Sequence, residues 1–141
     1  MSLRPVNTLK PGTRARLPWA GAAVFGAAVG YGGWSLTVWA RLYCEGGGDA
    51  GGGFELTLLL PLVMGAGVLS AVAALFLGRR LTRRAPKAAR ILTPLLLMVV
   101  STVLLAWWVF ATRGTLDGYP SHTGLCPTSN IPPQWPDWIP A

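Results

Sequence analysis

Cys44, His122 and Cys126 are the residues of this chain whose types invite a search for chemistry. Two thiols can form a structural disulfide, exchange electrons, or share a metal with a histidine. Redox work favours a CxxC spacing, which is absent. A closed zinc site normally takes four ligands in closely spaced pairs. Here one His-x-x-x-Cys would have to recruit Cys44 and a carboxylate, so no metal is expected and His122 reads as a solvated side chain. The sole histidine has no serine or cysteine motif partner, so no catalytic residue is assigned. The loop after Cys44 holds two glycine triplets around Asp49 and Ala50, but no Lys-Ser/Thr follows to hold phosphate and magnesium. It reads as a flexible connector, and no cofactor is implied.

What must position these residues is a membrane architecture. Three apolar stretches, residues 18–42, 55–78 and 91–112, are free of charge but for Arg41 and Glu55 at their outer boundaries. Each is long enough to cross a hydrocarbon core of about 30 Å as a helix. The expected fold class is all-α integral membrane: a basic tail over residues 1–17, a three-helix transmembrane domain over 18–113, and an irregular tail over 114–141. Ten of the twelve basic residues fall in two blocks, Arg4 to Arg16 and Arg79 to Arg90. Basic residues stay where the chain is not translocated, which places both blocks in the cytoplasm and the C-terminus outside. That gives the net charge of +7 a membrane explanation and leaves no nucleic-acid partner to invoke. The first apolar run is too long for a signal h-region and reads as an uncleaved anchor. Abundant Arg, Ala, Gly and Pro look like the output of a GC-rich bacterial genome.

This orientation puts Cys44 and Cys126 outside, where paired cysteines oxidise. A Cys44–Cys126 disulfide would tie the first helix to the tail, with roughly 4.5 kcal/mol from the chain-entropy model, less because inserted helices already restrict the chain. The tail alternates Pro127, Pro132, Pro133, Pro136 and Pro140 with Ile131, Trp135, Trp138 and Ile139. Proline fixes φ and removes donors, so an extended course is expected, with Trp135 and Trp138 one polyproline turn apart on one side. They are the expected tail contact, as a lid on the helix ends or as a docking strand. Six of the seven tryptophans lie towards the outer side, the pattern of an aromatic belt.

Within the helices, Gly26 and Gly30 form a GxxxG pair and Gly67 and Ala71 a matching row, expected to pack against each other within one chain. Pro61 reads as a tolerated kink, and Pro94 is expected in the first turn of the third helix. Arg79, Arg80, Arg83 and Arg84 should hold anionic lipid by generic attraction. No ionisable group lies at mid-depth, which argues against a proton-coupled pump. The leading expectation is therefore a small membrane protein acting by association, an accessory, assembly or scaffold subunit with a membrane-protein partner or a second copy of itself. The alternatives are a homo-oligomeric pore or transporter lined by Ser35, Thr37, Ser70, Ser101 and Thr102, and an exterior thiol or metal enzyme.

Overall fold

The computed structural model describes residues 11–43 and 50–114, Cys126 and residues 133–134, with the backbone alone for residues 11–15. Three helices follow one another: α1 (Pro11–Tyr43), α2 (Ala50–Leu81) and α3 (Lys87–Arg113). Among the described residues there is no strand. At 1.5 Å per residue the helices are about 50, 48 and 40 Å long. By length and composition α2 and α3 can each cross a bilayer. The run from Gly30 to Trp39 in α1 is diluted by glycine, tyrosine and tryptophan, which lowers its hydropathy without adding charge.

All three helices start earlier than the apolar patterning predicts. Residues 11–17, expected as irregular tail, are helical. Pro11 takes the first helical position, where a missing N–H costs nothing, while Pro18 sits inside the helix. Helix α2 absorbs the second glycine triplet, which had been expected as connector. Each glycine costs about 1 kcal/mol of helix propensity, so contacts from α1 and α3 onto residues 55 and 56, described below, supply the support. Helix α3 begins at Lys87, which moves Pro94 from the expected first turn into the helix body. There it packs on α2: a Cβ on Gly78 would lie 2.5 Å from the Pro94 Cα.

Backbone-to-backbone approach organises the bundle. A Cβ on Gly26 would collide with the Gly67 carbonyl and the Ala71 methyl, and a Cβ on Gly67 would collide with the Gly26 carbonyl. Gly30 sits the same way against Val63, whose carbonyl would be 2.7 Å from an added Cβ. The α1–α2 seam is the most extensive of the three and the α1–α3 seam the least. In lipid, where apolar tails compete for apolar contact, such close approach is the main source of packing energy. Towards the loop between α2 and α3, Ala22, Ala71, Leu75 and Met98 form a core against which Trp19 and Phe25 pack. The fully buried Thr37 and Thr102 donate to their own helices, to the Gly33 carbonyl at 3.0 Å and the Met98 carbonyl at 2.8 Å. A buried hydroxyl is thereby satisfied without a partner helix.

Large apolar side chains cover the outside of every helix, among them Val24 at 70% exposed, Leu69 at 72% and Leu96 at 65%. A water-soluble domain seldom exposes a contiguous apolar surface of this kind. Only 22% of the most apolar stretch of α2, and the same share of α3, is buried inside the protein, unlike the core helices of a soluble fold.

Candidate functional site

Polar side chains gather at the two ends of the bundle. At the end bearing the C-termini of α1 and α3, Arg41 and Arg113 converge on Glu55 of α2. The Arg41 Nη1 lies 3.4 Å from Glu55 Oε2, and the Arg113 Nη1 lies 2.9 Å from Glu55 Oε1. Arg41 also donates through Nε to the Arg113 carbonyl at 2.6 Å. One guanidinium thus ties α1 to a side chain of α2 and to the terminal carbonyl of α3, which has no intrahelical partner. The Arg41 side chain is 2% exposed, against 42% for Glu55 and 55% for Arg113. Two cations share one carboxylate, leaving this node with a formal charge of +1. Two turns before Arg41 along α1, Trp34 Nε1 donates at 2.8 Å to the carbonyl of Leu56, the residue after Glu55. That carbonyl adjoins Thr57, whose own carbonyl loses its regular helical donor because residue 61 is proline.

At the opposite end the turn between α2 and α3 is held by Thr82, whose hydroxyl donates to the Gly78 carbonyl at 2.7 Å, and by the Ala85 amide donating to the Thr82 carbonyl at 3.0 Å. Arg79 lies over the Trp19 ring, 5.2 Å from its centroid. Arg90 donates through Nε to the Ala85 carbonyl at 2.8 Å. Arg80, Arg83 and Arg84 are exposed. Between this loop end and the core lies a cleft of about 290 Å³, walled by Ala22, Leu75, Pro94 and Met98 with Arg79 and Arg90 at its rim.

The structure brings Gly26, Gly30, Gly67 and Ala71 together in one seam. Cys126 is buried and is not a free thiol. Cys44, His122, Trp135 and Trp138 lie outside the described residues, and so do the expected metal-free histidine and tail contact. Among the described residues no three His, Cys, Asp or Glu side chains converge as metal ligands would. Sequence reading placed Arg41 and Glu55 singly at helix ends and missed their convergence with Arg113. Opposite charges at the same-side boundaries of three consecutive apolar runs were the available signal. It also passed over Arg90 and Trp19 as partners of the basic loop.

Comparison with protein-family models, curated proteins and solved structures finds no match.

Proposed function

We propose that the chain is a three-pass integral membrane protein that works by association in the bilayer, as an accessory, assembly or scaffold subunit. The observation carrying this reading is the spacing of the two polar nodes. From Trp19 to Arg41 in α1, Glu55 to Arg79 in α2 and Arg90 to Arg113 in α3 the helical rise is about 33, 36 and 34 Å. No charged residue falls between the nodes in any helix. The match to a hydrocarbon core of roughly 30 Å extends the membrane reading to α1. The polar residues buried at depth, Thr37 and Thr102, bond within their own helices, which favours association over a polar conduction path.

The basic loop between α2 and α3 is cytoplasmic in this proposal, and the C-terminus exterior. Thr82 is buried, so a cysteine there would escape labelling on either side; Ala88 is exposed and reports correctly. In a background lacking native cysteines, Ala88→Cys should react with an impermeant maleimide only after the membrane is opened. Labelling in intact cells would reverse the orientation.

A Cys44–Cys126 disulfide is part of the proposal, supported by the state of Cys126 and by the presence of only one other cysteine in the chain. It would hold the proline-rich tail over the exterior helix ends, with Trp135 and Trp138 as aromatic anchors of the contact with a partner. Purification from the native membrane in mild detergent, followed by identification of what accompanies the chain, tests the function. Truncation after Gly124 and Cys44→Ser should each keep the chain in the membrane and reduce partner recovery roughly tenfold, the scale of losing one interface anchor. Undiminished recovery from the truncated chain would remove the tail from the recognition surface.

A further inference from the structure

We infer that the cleft at the loop end of the bundle is a discrete site for one anionic phospholipid, with an acyl chain along Ala22, Leu75, Pro94 and Met98 and the phosphodiester between Arg79 and Arg90. The inference rests on the membrane reading above and adds a defined ligand and stoichiometry to it.

The first support is shape. Gly78 and Pro94 bring the inner ends of α2 and α3 into backbone contact, whereas α1 and α3 share the least extensive seam. The resulting cleft of about 290 Å³ has an apolar floor contributed by all three helices. A free phosphate has no use for such a floor, and an acyl chain does.

Charge is the second. The two rim arginines come from different helices, and among the described residues no carboxylate pairs with either. Glu55, the acidic residue the structure does describe, is committed at the other end of the bundle. All the basic side chains of the loop are exposed, Arg79 and Arg90 included, but the others do not line the cleft, so they attract anionic headgroups without selecting one.

The third support is how the two guanidiniums are held. Arg79 lies over the Trp19 indole, which orders the cation without neutralising it and leaves its edge donors for phosphate oxygens. Arg90 uses Nε on the Ala85 carbonyl, and its terminal nitrogens retain four N–H donors. A preorganised guanidinium loses less freedom on binding than a mobile one. A cleft between α2 and α3 at the other end has Arg113 as its one charged lining residue, already paired with Glu55, and the larger concavity of about 460 Å³ along α3 is lined by Leu92, Thr93, Leu95, Leu96 and Val99, with no charged group.

Native mass spectrometry of the full chain in a non-ionic detergent, supplied with phosphatidylglycerol or phosphatidylcholine, tests the site. One phosphatidylglycerol per chain should be retained in preference to phosphatidylcholine. Arg79→Gln with Arg90→Gln should lower that retention about tenfold, the scale of losing charge-assisted phosphate contacts, while Arg83→Gln with Arg84→Gln removes equal charge and changes it less than about twofold. Ile91→Trp, at an exposed position lining the cleft, should block binding with every cation intact. Glycerol phosphate should not displace the lipid. Equal losses from the two charge pairs, retention by the Ile91→Trp chain, or displacement by glycerol phosphate would overturn the site. Carbonate washing of membranes separates the two claims: a chain that stays with the membrane but shows no selective lipid loses only the site, and a chain released by carbonate loses the membrane reading as well.

Discussion

Gly67→Leu should destabilise the bundle by about 3 kcal/mol or more, at the upper end of what overpacking costs. Most overpacked sites relax because a flexible side chain moves aside. At Gly67 the obstructing atom is the Gly26 backbone carbonyl, and α1 cannot withdraw it without separating from α2 along the whole seam. Gly30 against Val63, one turn away, would lose its contact in the same displacement. Gly65→Leu is the matched control: its added Cβ meets no atom within 4 Å, and leucine gains about 0.8 kcal/mol of helix propensity over glycine. Thermal or dodecyl sulfate unfolding in a fixed detergent should therefore move in opposite directions for the two variants. Similar behaviour of both would mean that α1 and α2 do not meet through this groove in the membrane.

That groove was readable from residue types, because Gly26 with Gly30 in α1 and Gly67 with Ala71 in α2 are each four apart, an interval that shares a helix face, and small residues have few other uses there. The three helices were readable too, since their apolar runs are long and almost free of charge. Helix starts were less so. The added turn at Ala50 is mostly glycine, a poor helix former whose state depends on what packs beside it, whereas the turns added from Pro11 and from Lys87 carry basic residues, so apolar patterning passes over them although Lys87 to Arg90 are all good helix formers. The Pro94 position shows the consequence: an error in the start of α3 turned a residue that faces Gly78 into an apparent first-turn proline. The polar nodes were hardest to see. Glu55 and its two arginines are far apart along the chain, and no spacing rule says that α1 and α3 end side by side at the second turn of α2. Cys44 and the tail tryptophans lie outside the described residues, and the truncation and cysteine variants above test the proposed tail contact.

The node of Arg41, Glu55 and Arg113 yields the second large effect, and here distance and burial point to different partners. Arg113 approaches Glu55 more closely, at 2.9 Å against 3.4 Å for Arg41, so geometry alone ranks it first. Its side chain is more than half exposed, and an exposed pair contributes about 0.2–1 kcal/mol. Arg41 is almost fully enclosed, and its guanidinium also bonds to the Arg113 carbonyl, a backbone atom that no substitution at 113 removes. Among the described residues, removing Glu55 leaves that enclosed cation with the carbonyl alone. Breaking a buried ion pair from one side costs about 3–5 kcal/mol, and because Glu55 is partly exposed and Arg41 keeps one partner, about 2–3 kcal/mol is expected for Glu55→Gln. Arg113→Gln should cost under about 1 kcal/mol, within the exposed-pair range. A double-mutant cycle of Arg41→Leu with Glu55→Gln should return a larger coupling than the cycle through Arg113, the clean way to separate a pair from its surroundings. If the cycle through Arg113 is the stronger, the short exposed contact carries the node. Arg41 would then serve α3 through its carbonyl and not α2 through Glu55, and the three helix ends would be joined by two separate ties instead of one shared carboxylate.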